Sequence, residues 1–150
     1  MAMARIVESG ARPAPKRIAG FDIRILLSGD DAQAFEVFLT SGKDGTGPAP
    51  HSHPWDETFY VLRGPVVFGV GERKQAVEAG TLLHVPGGER HWYRFGVEEG
   101  EFLSFTSGKD AAAMYAIWQV CPLMHRRRII RPWRSGMARR HDLPRVEDEV

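Results

Sequence analysis

The chain has 150 residues, 43% apolar and 26% charged, which suits one domain with a core of its own and leaves no room for two of ordinary size. Its sixteen glycines follow no period of three, no apolar stretch approaches the ~18 residues of a membrane span, and one cysteine, Cys121, cannot form an internal disulfide. The formal charge of +1 divides into −3 for residues 1–124 and +4 from His125 onward, so the body is mildly acidic and only the tail is basic.

Residues 1–20 hold Gly10, Pro13, Pro15 and Gly20 without a periodic apolar pattern, and are expected to form an N-terminal arm with short edge-strand pieces. No apolar segment of the signal-peptide kind occurs there, so the expected location is the cytoplasm. From Phe21 to about Phe105 come short β-type runs, FDIRILL, AFEVFLT, ETFYVLR, PVVFGV, TLLHVP, HWYRF and EFLSFT, each bounded by Gly, Pro or Asp. Runs of this length with no helical stretch between them predict an all-β antiparallel sandwich or barrel. A hairpin is expected to turn near Gly71-Glu72-Arg73.

After Ser107 the pattern changes. KDAAAMYAIWQV is rich in helix formers and stops before Pro122, and Met114, Ile117 and Trp118 fall at i, i+3 and i+4, a face that could close the barrel end. The barrel with its closing helix is therefore assigned to residues 21–124. Residues 125–150 are Arg-rich and carry Pro132 and Pro144, the composition of a tail or an arm that packs on a second subunit. The competing reading is a basic patch for an anionic partner or nucleic acid, with Trp133 free to stack. No helix-turn-helix pattern accompanies it, which argues against nucleic acid.

Three of the six histidines belong to one pattern with fixed glycines. Gly45 is followed after five residues by His51-Ser52-His53, then after three by Glu57 and after six by Gly64. Gly80 is followed after five residues by Pro86-Gly87-Gly88, and after two more by His91. Side chains two or four apart along a strand share a face, so His51, His53 and Glu57 can project to one side, although Pro54 interrupts a regular pleat. Three imidazoles and a carboxylate suit a divalent first-row ion, and an N3O set without cysteine can keep positions open for a guest. The plainer alternative is a set of turn glycines and solvated loop histidines. His84, in the TLLHVP run, reads as an exposed or hydrogen-bonded strand residue, and His125 and His141 as solvated tail residues.

These spacings are G-x5-HxH-x3-E-x6-G and G-x5-P-x-G-x2-H, and over about residues 21–106 the chain resembles the cupin superfamily. The five fixed positions of the first pattern recur by chance at about one start in a million for this composition. The resemblance implies a jelly-roll-like barrel, a double-stranded β-helix, with a short C-terminal helix. It also implies one metal (Fe, Mn, Ni or Zn) held by His51, His53, Glu57 and His91. If Glu57 and His91 point inward, alternation sends Phe59, Val61, Tyr93 and Phe95 inward as candidate pocket residues. Phe95 stands where the second cupin pattern often has Asn, which makes the interior more apolar. Within the superfamily the chain is similar to quercetin 2,3-dioxygenase-like proteins. That likeness implies a metal-dependent dioxygenase acting on an enolic or aromatic small molecule, with Glu57 as catalytic proton acceptor. A metal-assisted isomerase or cyclase, and a small-molecule or metal-binding module without turnover, remain open alternatives. A homodimer is expected, since an open barrel edge invites pairing.

Overall fold

The computed structural model describes residues 4–120; Cys121 and the Arg-rich stretch 125–150, with His125, Trp133 and His141, lie outside the described residues. The described chain runs β1 (Lys16–Ile18), β2 (Phe21–Leu27), β3 (Phe35–Gly42), β4 (Glu57–Arg63), β5 (Val66–Val70), β6 (Arg73–Val77), β7 (Leu82–Val85), β8 (His91–Phe95), β9 (Gly100–Ser107) and α1 (Ala111–Val120). Two antiparallel sheets result, one ordered β1-β2-β3-β9-β4-β7 and the other β6-β5-β8. This is the expected all-β architecture, with one short helix after the last strand. Among the described residues no helix is long and apolar enough to cross a membrane.

Local chemistry explains the turns. Part of the expected arm is the edge strand β1, joined to β2 by Ala19 and Gly20, both at positive φ (47° and 91°), as a two-residue hairpin with right-handed strand twist requires. The β5–β6 hairpin turns at Gly71-Glu72, with Gly71 at φ 55°.

Alternation then sorts the side chains. On β4, Glu57, Phe59 and Val61 are buried while Tyr60 and Leu62 are exposed; on β8, His91, Tyr93 and Phe95 are buried. Across β4, β9 and β3 the inward residues form rungs: Glu57–Thr106–Glu36, then Phe59–Ser104–Phe38, then Val61–Phe102–Thr40. The first rung is polar, and below it the interior becomes aromatic. Phe59 packs on Phe68 and Phe102, Tyr93 packs edge-on to Phe102, and Phe95 stacks on Phe102 at 5.5 Å and 17°. Phe95 fits because Gly42 and Gly100 lack side chains: a Cβ at Gly100 would stand 2.2 Å from the ring, and one at Gly42 2.5 Å.

Helix α1 closes the polar end with part of the expected face: Met114 and Trp118 pack against the core, but Ile117 does not. Ala111 and Tyr115 are buried, Met114 and Trp118 are half-buried, and Ile117 is 55% exposed, so Ile117 does not belong to the closing face. The rotation follows from Glu36 on β3, whose side chain is wholly buried. Its Oε2 accepts the N–H of Ala112 at 3.1 Å and its Oε1 accepts that of Gly29 at 2.9 Å. A carboxylate on the first N–H groups of a helix satisfies donors that have no partner within the helix and suits the positive end of its dipole. With Ala112 fixed, Ala111, Tyr115 and Trp118 (i, i+4, i+7) meet the barrel.

Candidate metal centre

Two separate stretches converge at the polar end. His51 and His91 pair as an antiparallel bridge, with His51 N–H donating to the His91 carbonyl (3.0 Å) and His91 N–H to that of His51 (2.8 Å). His53 lies on the bend before β4, so Pro54 does interrupt the pleat, and a different contact holds the bend in place. Gly88 N–H donates to the His53 carbonyl at 2.7 Å, and Gly87 lets the 86–88 turn approach so closely that a Cβ there would meet the Pro54 carbonyl oxygen at 2.4 Å. The Pro-Gly-Gly turn therefore brings the third histidine to the other two.

The rings are aimed by their own backbone. His51 Nδ1 lies 2.9 Å from the Ala49 carbonyl, His53 Nδ1 2.8 Å from that of Trp55, and His91 Nδ1 3.0 Å from that of Glu89. A carbonyl only accepts, so each Nδ1 carries a hydrogen, and a ring in its neutral form turns the Nε2 lone pair to the interior. One nitrogen from each of the three rings comes within 4.8 Å of the others. Glu57 Oε2 faces His53 Nε2 at 3.0 Å and His91 Nε2 at 3.3 Å, with Glu57, His53 and His91 all buried. Lone pairs directed at a carboxylate oxygen repel unless a proton or a cation lies among them.

Charge follows the same logic. Burial first, and then the neighbouring His91, hold the His51 pKa at about 4, so His51 is neutral at pH 7 and can donate a lone pair. Burial would raise the Glu57 pKa, but hydrogen bonds from the His53 and His91 rings, given when Nε2 carries a proton, prevail and bring it to about 2. For His91, burial opposes charging, yet the Glu57 carboxylate and the Glu89 carbonyl outweigh it and the pKa rises. The Tyr93 and Tyr115 phenols, buried and near Glu57, are pushed well above their ordinary value and keep their protons. The donor set fits a divalent cation, and the buried His91 Nε2, which has no hydrogen-bond partner, is the atom that most needs one.

The candidate pocket residues separate by depth. Phe59 approaches the His91 ring at 6.2 Å between centroids, and Tyr93 is the next inward residue on β8. Val61 and Phe95 lie further down, with Phe95 four residues along β8 from His91, about 13 Å at strand rise. His84 Nδ1 is hydrogen-bonded to Thr58 Oγ1 at 2.9 Å on the exposed side of the sheet, away from the cluster.

Of three residues around the cluster, Trp55 and Tyr115 were not singled out by sequence patterns, and Trp118 was placed only on the closing face of the helix. Trp55 stacks flat on His53 (4.5 Å, 7°), Trp118 meets His51 edge-on (4.9 Å, 86°), and the Tyr115 hydroxyl lies 3.4 Å from Glu57 Oε1. Only the aromatic content of the 54–56 bend and of α1 hinted at them.

Residues 38–106 match the family described as the cupin domain. A curated relative, acireductone dioxygenase of Frankia alni, is 48% identical over 54 residues, which are 33% of this chain and only 26% of that protein, so the match spans about a quarter of the relative's length. Among solved structures, KdgF from Halomonas sp. superposes with a TM-score of 0.65 at 14% identity, covering 71% of this chain and 96% of that one. A predicted oxalate decarboxylase from Thermotoga maritima gives 0.63 at 23% identity, covering 69% and 99%. At these identities the structures speak for the fold alone: two antiparallel sheets and a C-terminal helix in the cupin arrangement.

Proposed function

We propose that this cupin-fold protein is a metal-dependent enzyme of the dioxygenase type, acting on an enolic or aromatic small molecule. The observation that carries the reading is the convergence of three imidazoles, each held by an Nδ1–carbonyl contact, around the buried Glu57 carboxylate. The partial likeness to acireductone dioxygenase supports the reaction class, and the quercetinase-like substrate expectation belongs to the same proposal.

His51, His53 and His91 would hold the ion, with Glu57 as fourth ligand. A bound Fe, Mn, Ni or Zn ion supplies Lewis acidity toward an enol oxygen, and the redox-active ones supply one-electron chemistry as well. The chain's own residues do the rest. Glu57, the carboxylate at the cluster, is the proposed proton acceptor for a bound enol. Trp55 and Trp118 flank the histidines with flat apolar surfaces that exclude water and favour a planar guest. Phe59 and Tyr93 form the floor.

The test is a metal analysis of purified protein, followed by anaerobic loading with Fe(II), addition of a flavonol or a 1,3-diketone, and admission of air. Substrate-dependent O2 consumption that vanishes in Glu57→Ala is the expected result. Metal uptake without O2 consumption for any of Fe, Mn, Ni and Zn across a broad enol panel would overturn the enzyme reading in favour of a binding module.

A further inference from the structure

Helix α1 carries none of the cupin spacings, yet it reaches the metal-ligand carboxylate. We propose that Tyr115 is a positioning residue for Glu57: its hydroxyl holds Oε1, so that Oε2 is the oxygen presented to His53 and His91. For its consequence the inference rests on the metal reading above; for the contact itself it rests on geometry.

The two oxygens of Glu57 have different neighbours. Oε2 faces the histidine nitrogens at 3.0 and 3.3 Å, and Oε1 accepts from the Tyr115 hydroxyl at 3.4 Å, long for a hydrogen bond to a carboxylate but wholly buried. The terminal torsion of a glutamate is soft and nearly two-fold, so without a hold on one oxygen the carboxylate exchanges the two or turns edge-on. A phenol facing a carboxylate can only donate, so Tyr115 selects one of those orientations.

The phenol is itself held. Its ring packs edge-on to Phe38 (4.9 Å, 81°) on the inside and to Trp118 (5.8 Å, 75°) along the helix. One turn earlier the helix is tied to β3 through Ala112 N–H and Glu36 Oε2. The path from β3 through α1 to Glu57 is continuous: Glu36 sets the helix, the helix sets Tyr115, and Tyr115 sets the carboxylate. Trp118, one turn further along, lies against His51, so the same helix touches two members of the cluster.

Tyr115→Phe keeps the ring and removes only the hydroxyl, and cobalt(II) is the probe. Titration of the full-length metal-free protein is expected to give about tenfold weaker Co(II) binding in Tyr115→Phe, as loss of an outer-shell partner does, with displaced ligand-field bands. In the metal-free protein, Tyr115→Phe should lower the thermal midpoint by a few degrees when Glu57 is present and leave it unchanged in the Glu57→Ala background. Native affinity and an unaltered cobalt spectrum in Tyr115→Phe, or an equal change of midpoint in both backgrounds, would overturn the proposal and leave Tyr115 as packing. If the native protein takes up no Co(II), the metal reading fails, and the midpoint comparison alone decides whether the phenol holds the carboxylate.

Discussion

The two ends of the barrel interior are built on different terms. At one end Phe59, Phe68, Tyr93, Phe95 and Phe102 pack ring on ring, and the glycines that admit Phe95 leave no side chain to compete for the space. At the other end the interior holds Glu36, Glu57, His53, His91 and Thr106, all buried, with His91 Nε2 and Thr106 Oγ1 lacking hydrogen-bond partners. Apolar burial stabilises the aromatic end without help. The polar end is stable only as far as each charge and lone pair is answered, by a backbone group, by α1 or by a bound cation.

Replacing a ligand should separate the two ends most sharply. His53→Ala or Glu57→Ala should weaken metal binding by more than the ~10–100-fold that loss of an outer-shell partner costs, while the fold persists; isothermal titration with circular dichroism checks both. The converse test is Phe102→Ala, which removes the ring that Phe59, Tyr93 and Phe95 share. It should cost about 3–5 kcal/mol in urea unfolding with little change in metal affinity for the fraction that folds.

An intermediate effect is expected at the anchor of the helix. Glu36→Ala leaves the Gly29 and Ala112 N–H groups without their acceptor and should cost about 1–3 kcal/mol, read by denaturation. Because α1 bears Tyr115 and Trp118, this change should also weaken metal binding, which Phe102→Ala should not.

Acidity gives the most diagnostic contrast. His51 has a folded pKa of about 4 against an ordinary 6.5, so the folded protein binds fewer protons there and metal-free stability falls as pH drops from 6.5 toward 4. Glu57, at about 2 against 4.5, adds a second loss as pH falls below 4.5. The raised pKa of His91 works the other way: its contribution is complete below 6.5 and is lost as pH climbs through its folded value. The thermal midpoint of metal-free protein should therefore peak near pH 6.5, a few degrees above its flanks. The metal-dependent increment should shrink on acidification, because protonated imidazole does not coordinate.

Much of this was legible in the residues. FDIRILL, ETFYVLR and HWYRF became β2, β4 and β8 with the same bounds, because alternation within short runs marks both the element and its buried face. The four chemistry-bearing residues of the two spacings also came together at one end of the barrel. Less legible was anything that depends on how one element is rotated against another. In α1, the sets Met114/Ile117/Trp118 and Ala111/Tyr115/Trp118 are equally helical, and only the tie to Glu36 chooses between them. Strand β3 shows the same difficulty. Glu36, Phe38 and Thr40 point inward there and Phe35 is exposed, because a buried carboxylate is tolerated where two N–H groups await it. The stacking of Trp55 on His53 depends on the path of the chain after Pro54, which no periodicity describes.

The mutual backbone pairing of His51 and His91 has a mechanical consequence. Two main-chain bonds set how far apart these two residues stand, so that edge of the cluster behaves as a fixed jaw. The opposite edge is held by single contacts, the His53 carbonyl by Gly88 N–H and Glu57 Oε1 by the Tyr115 hydroxyl, so it has more freedom than the doubly bonded pair. If the cluster holds a metal as proposed, ions of different radius would meet the same fixed jaw and differ in how far they draw the other edge inward.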